Sequence, residues 1–166
     1  MINKNDPIAL VPVDLIPKAI DTPTDDLMSL FRLVNKMEKL CHDEKGVGLS
    51  AVQVGIPWNL FIINKGRSYD YYINCRYEGV GQKFKSIEGC LSLKNQDGSF
   101  RRFEVQRFDK IKLTGKQLVI SGNAGLAIND IDFVVTGIQA VIIQHETDHG
   151  FGILISDIGR EIEFIP

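Results

Sequence analysis

The stretch from Phe133 to His149 constrains the fold of this chain more than any other. It carries Val134, Ile138, Val141, Ile142 and Ile143 and closes on Gln144-His145-Glu146-Thr147-Asp148-His149-Gly150. A helix that is apolar nearly all round must be buried. The pattern therefore predicts a central helix from about Phe133 to His149, entered at Asn129-Asp130-Ile131-Asp132 and stopped by Gly150 and Gly152. On such a helix His145 and His149 lie one turn apart on one face. Glu146 sits about 100° round from His145, beside an ion held by the two rings rather than on it. Two imidazoles and an adjacent carboxylate in this spacing are the pattern of metal-assisted hydrolysis, with the carboxylate as general base and acid. The bland alternative is a pair of surface histidines on an ordinary helix. The apolar run before them argues instead for an interior cleft.

Two imidazoles do not make a stable catalytic site, so the chain has to supply a third donor. Three cysteines, Cys41, Cys75 and Cys90, form an odd set without a close pair, which points away from disulfides and towards a reducing compartment. Cys41 falls on the apolar stripe of a predicted helix and reads as a small core residue. Cys90 follows Gly89 in an expected turn at a strand end, where a thiolate can ligate. Glu161 and Glu163 are the competing donors, as in peptidases whose third ligand follows the histidines, although both sit in a polar stretch of alternating charge.

The remainder reads as an α+β chain: a single domain of short antiparallel strands around the central buried helix. Its 166 residues suffice for a core, and a net charge of −2 gives no reason to expect nucleic-acid binding. No apolar run is long enough to span a membrane, and the start has no secretory apolar segment, so the expectation is a cytoplasmic protein. Prolines 7, 12, 17 and 23 predict an extended arm over residues 1–24. Asp21–Asp26 supplies caps for a helix from Leu27 to about Glu44. Gly46 and Gly48 either turn the chain or bring its backbone close to a partner, with Gln53 behind them. Strands are expected at Trp58–Asn64, Tyr71–Ile73, Tyr77–Val80, Phe84–Ile87, Phe103–Phe108, Lys110–Leu113, Gln117–Ile120 and Leu126–Ile128. Residues 94–102 read as a loop, and Gly115, Gly122 and Gly125 as turns.

Three ordered stretches carry a resemblance. Gly46-Val47-Gly48-Leu49-Ser50-Ala51-Val52-Gln53, Glu88-Gly89-Cys90-Leu91-Ser92 and Gln144-His145-Glu146-Thr147-Asp148-His149 resemble, in that order, the three motifs of the peptide deformylases. The resemblance implies that Cys90, His145 and His149 hold one divalent ion, typically Fe2+, with Zn2+, Ni2+ or Co2+ able to replace it. It implies that Glu146 moves the proton, and that Gln53 and the Leu91 backbone N–H stabilise an oxyanion. Val47, Gly48, Leu49, Val141, Ile142 and Arg102 would bind the substrate, an N-formylmethionyl peptide of a newly made chain, releasing formate. Asp148 becomes a candidate partner for Arg102 or Arg107 in holding the helix. The implied protein is a monomer, with the ribosome as a candidate partner. Ser50, Cys75, Leu93-Lys94 and Gly150 depart from the family pattern. Ile153–Pro166 is expected to form a last strand rather than the long terminal helix that the family links to ribosome docking.

Overall fold

The computed structural model describes residues 7–121 and 125–163. Helix α1 is Leu27–Asp43, and its start is set by Asp26, whose carboxylate accepts from the Ser29 amide at 2.9 Å. Its buried stripe of Leu30, Leu33, Val34, Met37 and Cys41 covers one face of a five-stranded antiparallel sheet. That sheet comprises β1 (Gly48–Ser50), β2 (Leu60–Asn64), β3 (Tyr69–Gly79), β6 (Lys110–Ser121) and β7 (Gly125–Thr136), in the order β1-β2-β3-β6-β7. Because strand side chains alternate, β2 sends Leu60 and Ile62 to α1 and Phe61 and Ile63 to the opposite face. On that opposite face lies α2 (Gly137–Gly150), whose Ala140 and Ile143 pack with Phe61, Tyr72, Ile111, Leu113 and Val135.

A second sheet, β4 (Lys83–Lys94), β5 (Phe100–Phe108) and β8 (Arg160–Ile162), meets another face of α2, so the helix lies between the two sheets. Cys90, Leu93, Phe103 and Val105 form a small core there with Ile155 of the short helix α3 (Ile155–Ile158). The arm expected at the N-terminus is extended over its described part, apart from a 3-10 turn at Val13–Leu15. The Val11 amide donates to the Gln53 carbonyl at 2.9 Å, and the Ala19 amide to the Gly150 carbonyl at 3.0 Å. The arm thereby ties together the segment after β1 and the end of α2.

The α+β architecture and the central helix agree with the expectation, but the helix is shorter. Asn129–Thr136 does not enter or form a helix; it is the second half of β7. Ile131, Phe133 and Val135 pair with Gly115, Leu113 and Ile111 of β6, and this alternating run of aromatic and branched residues suits a pleated surface. Gly137, at φ +65°, is where the chain turns into α2. Nor is the helix apolar and buried on all sides, because Ile138 is 71 % exposed at the cleft mouth.

Gly115 is not a turn but lies inside β6, which is one strand where two were expected. A Cβ there would fall 2.6 Å from the Cys75 sulfur, so the glycine admits a bulge in β3 at Asn74 and Cys75. That bulge also joins the two expected strands at Tyr71 and Tyr77 into one. The loop after Lys94 is shorter than expected, since β5 already begins at Phe100. Gly125 opens β7, whereas Gly122 is outside the described residues. The expected last strand is α3 followed by β8, and its final residues are likewise outside the described part.

Candidate active site

Two edge strands and one helix build the site. On the first side, β1 is the edge of the five-stranded sheet. The Asn64 amide donates to the Val47 carbonyl at 2.9 Å, which makes Val47 and Asn64 a hydrogen-bonded pair. Alternation in an antiparallel ladder then turns the N–H and C=O of Gly48 away from β2, into the cleft. A side chain at Gly48 is excluded because its Cβ would lie 2.5 Å from Glu146 Oε1. Immediately after β1 a single 3-10 turn, Ala51–Val54, is closed by a capping box. Gln53 Oε1 accepts from the Ser50 amide at 2.9 Å. This fixes the carboxamide, whose Nε2 donates to Ser92 Oγ at 3.0 Å and faces Cys90 Sγ at 3.5 Å.

On the second side, β4 pairs with β5 in steady register as far as Gly89–Arg102, then shifts before Lys94–Phe100. Cys90, Leu91 and Ser92 occupy the interrupted stretch. Cys90 is therefore not in a turn and not exposed: it is 2 % accessible, inside a strand whose ladder is broken so that its thiol can leave the sheet. Between the two edges, α2 delivers His145 and His149, with ring centroids 4.8 Å apart. Cys90 Sγ lies 3.3 Å from His149 Nε2, and the donor atoms of Cys90, His145 and His149 all lie within 4.8 Å of one another. Tetrahedral ligands at ordinary metal–sulfur and metal–nitrogen bond lengths would stand about 3.3–3.6 Å apart. The three donors thus surround a cation-sized space and fit a divalent ion after a small contraction.

The surroundings act on the two rings in opposite directions. Burial opposes protonation of His145, but Cys90, Glu88 and Glu146 outweigh it and push its pKa up to about 10. Burial, with the positive charges of His145 and Arg107, holds His149 well below its usual value. Burial also pushes Glu146 up to about 7, and its Oε2 has no hydrogen-bond partner among the described residues. An acid poised near neutrality with one oxygen free in a closed site can both accept and return a proton.

The helix is held by charges that sequence reasoning read only in part. Arg107, 2 % exposed, bonds both oxygens of Glu88 at 2.8 and 3.0 Å and Asp148 Oδ2 at 2.5 Å. Asp148 therefore pairs with Arg107 and not Arg102. Burial raises the pKa of Glu88, yet His145 and Arg107 together bring it down to about 2. Its Oε2 lies 2.9 Å from His145 Nδ1, which turns Nε2 of that ring towards Cys90, where a shared ligand would sit. Glu88, Ser92 and Tyr77, whose hydroxyl donates to Asp148 Oδ1 at 3.1 Å, were missed. Glu88 and Ser92 sat in plain view in the cysteine motif. Tyr77 gave no signal, because only the fold carries it to Asp148.

The cleft over these groups measures about 290 Å3 and is lined by Val47, Gly48, Gln53, Leu91, Val141, Ile142 and Arg102 of the anticipated residues, together with Ile87, Phe100 and Ile138. Leu49 is the exception. Its side chain is wholly buried on the α1 side of the sheet, one step out of phase with Gly48, and it does not line the cleft. The competing ligand Glu161 is bonded to Arg101 on an exposed edge, and Glu163 is exposed beside it. Cys90, His145 and His149 form the one metal-capable cluster of this kind among the described residues.

A buried cysteine sulfur and two imidazoles beside a free carboxylate, under a backbone edge, can be compared with known proteins. The polypeptide deformylase family model matches residues 7–163. The chain belongs to the polypeptide deformylase family. Peptide deformylase 1 of Corynebacterium efficiens is 32 % identical over 131 residues, covering 76 % of this chain and 70 % of that protein. The crystal structure of peptide deformylase from Plasmodium falciparum superposes with a TM-score of 0.74 at 28 % identity, covering 92 % of this chain and 86 % of that one. The Thermotoga maritima deformylase shares the fold, with a TM-score of 0.76 at 24 % identity, over 93 % and 98 % of the two chains. Peptide deformylases are metal-dependent hydrolases that remove the N-formyl group from nascent peptides, and this chain is an enzyme of that class.

Proposed function

We propose that residues 1–166 form one catalytic domain that hydrolyses the formyl amide of N-formylmethionyl peptides at the site built by Cys90, His145, His149, Glu146 and Gln53. The observation that carries this reading is the convergence of three donor atoms within 4.8 Å beside a buried, half-unsatisfied carboxylate. Cys90 Sγ and the two imidazoles would hold one divalent ion. Fe2+ is the first candidate, with Zn2+, Ni2+ and Co2+ as alternatives, since a thiolate with two imidazoles suits all four. Such an ion, when bound, supplies a Lewis acid that brings the pKa of water towards neutrality.

The chain's own residues do the rest. Glu146 takes the proton of the attacking water on its carboxylate and returns it to the leaving amine nitrogen. Gln53 Nε2, held by the 3-10 turn and already aimed at Cys90, donates to the oxyanion with the Leu91 amide. Gly48 offers its outward N–H and C=O to an extended peptide, which adds as a strand between the β1 and β4 edges. Val47, Val141 and Ile142 receive the methionine side chain, and Arg102, over Gly89, borders the path of the peptide that follows. Closing this cleft over an unbranched apolar residue excludes water from the oxyanion.

We place the enzyme in the cytoplasm as a monomer that meets nascent chains, with the ribosome as a candidate partner. Three buried free cysteines suit a reducing compartment, and the cleft is complete within one chain. No helix among the described residues is long and apolar enough to cross a membrane. The test is anaerobic purification, elemental analysis and formate release from a formyl-Met tripeptide. Metal-loaded protein is expected to release formate, and Cys90→Ala to lose both metal and turnover. A Cys90→Ala protein that kept its metal would overturn the ligand set.

A further inference from the structure

Gly48 can serve as a pairing edge only if the preceding residues are held still, and the hold runs through Asn64. This residue ends β2, half-buried, and makes three separate bonds. Its backbone amide donates to the Val47 carbonyl at 2.9 Å. Its side-chain Nδ2 donates to the Gly46 carbonyl at 3.3 Å. Its Oδ1 accepts from the Gly66 amide at 2.7 Å, which fixes the carboxamide orientation. The carbonyls of Gly46 and Val47 are thus both turned towards Asn64.

The Gly46 carbonyl also accepts from the Cys41 thiol at 3.3 Å, and the Gly46 amide donates to the Cys41 carbonyl at 2.7 Å. Gly46 has no room to move aside: a Cβ there would lie 2.8 Å from Leu91 Cδ1 and 3.0 Å from Cys41 Sγ. Lys45, just before it, takes φ +57°, so the chain enters the segment through a left-handed residue that external bonds must hold. Rotation of the 46–47 peptide planes would swing the Gly48 N–H and C=O off the cleft, beside Glu146, whose Oε1 lies so close that a Cβ on Gly48 would stand 2.5 Å from it.

We propose that Asn64 is a positioning residue for substrate: its carboxamide locks the Gly46–Gly48 backbone so that Gly48 presents its hydrogen-bonding groups to the peptide. It touches neither the reacting atoms nor the metal donors. Its effect therefore belongs in substrate binding rather than in the chemical step. The inference rests on the deformylase reading of the same cleft.

Asn64→Asp is the discriminating substitution. It keeps the size of the side chain and the acceptor for Gly66, but sets a carboxylate oxygen against the Gly46 carbonyl in place of a donor. The metal-loaded variant is expected to show KM for a formyl-Met tripeptide raised about five- to twentyfold with kcat within about twofold, the range for one neutral hydrogen bond and its repulsion. Metal content should be unchanged, and hydrogen exchange at the amides of residues 46–50 should be faster. If Asn64→Asp does not fold, Asn64→Ser, too short to reach Gly46, gives the same readouts.

Unchanged KM with unchanged exchange would overturn the proposal, as would a fall in kcat at constant KM. A wild-type protein that released no formate would sink the deformylase reading instead. The exchange measurement, which needs no turnover, would still test the lock.

Discussion

The two sheets grip the same helix by opposite means. The five-stranded sheet holds α2 mainly through apolar contact, with Ala140 and Ile143 against Phe61, Tyr72, Leu113 and Val135, to which the Tyr77 hydroxyl adds a hydrogen bond on Asp148. The three-stranded sheet holds it through charge and hydrogen bonds. There Arg107 grips Asp148, Glu88 grips His145, and Gln144 clamps the backbone of Phe108, accepting from its amide and donating to its carbonyl at 2.9 Å each. Apolar contact is non-directional and tolerates small shifts. Bonded charge pairs fix direction to within a fraction of an ångström. The side that must aim two imidazoles at one point is the side built from directional bonds, and the cost of burying those charges is accepted there.

Substitutions on the two sides sharpen this contrast. The largest effect is expected at the centre of the polar side. Glu146→Gln should lower kcat for formyl-Met peptides by about 100- to 10 000-fold while metal content and thermal midpoint stay near wild type. A variant retaining more than a tenth of the rate would remove Glu146 from the proton path. Next comes Arg107→Met, which fills the volume but strands two buried carboxylates. A loss of about 3–5 kcal/mol in denaturant unfolding is expected, with weaker metal retention, because Glu88 no longer orients His145. If it unfolded like wild type, the charged grip would be ornamental and the apolar side would hold the helix alone.

The smallest effect is expected from Thr147, buried on the helix with a hydroxyl that has no partner among the described residues. Thr147→Val keeps the shape and removes the unsatisfied group. It should raise stability by about 1 kcal/mol in the same assay and leave kcat/KM unchanged. Destabilisation would mean that the hydroxyl is bonded in solution.

Much of the site was legible because its chemistry requires particular residue types at short spacings. His145, Glu146 and His149 are tied by one helical turn, and Gly48 and Gln53 by one strand and one turn. The sequence pattern misjudged where the helix begins. Phe133, Val134 and Val135 satisfy helical and strand periodicity equally, and only pairing with Leu113, Lys112 and Ile111 across β6 decides between them. Gly115 misled for the same reason, since a glycine that admits a neighbour's sulfur looks in sequence like one that makes a turn.

By itself the sequence determined the donor types, the proton carrier and the helix that spaces them, because these depend on local geometry. The tertiary structure decided that Cys90 leaves its sheet at a break in the ladder, and that Arg107 rather than Arg102 holds Asp148. It also decided that Tyr77 and Glu88 join the helix, that Leu49 turns into the core, and that Asn64 steadies the edge beside it. Each of these depends on which strands lie side by side and in what register. A shift of one residue in register would turn every side chain of the strand to the other face.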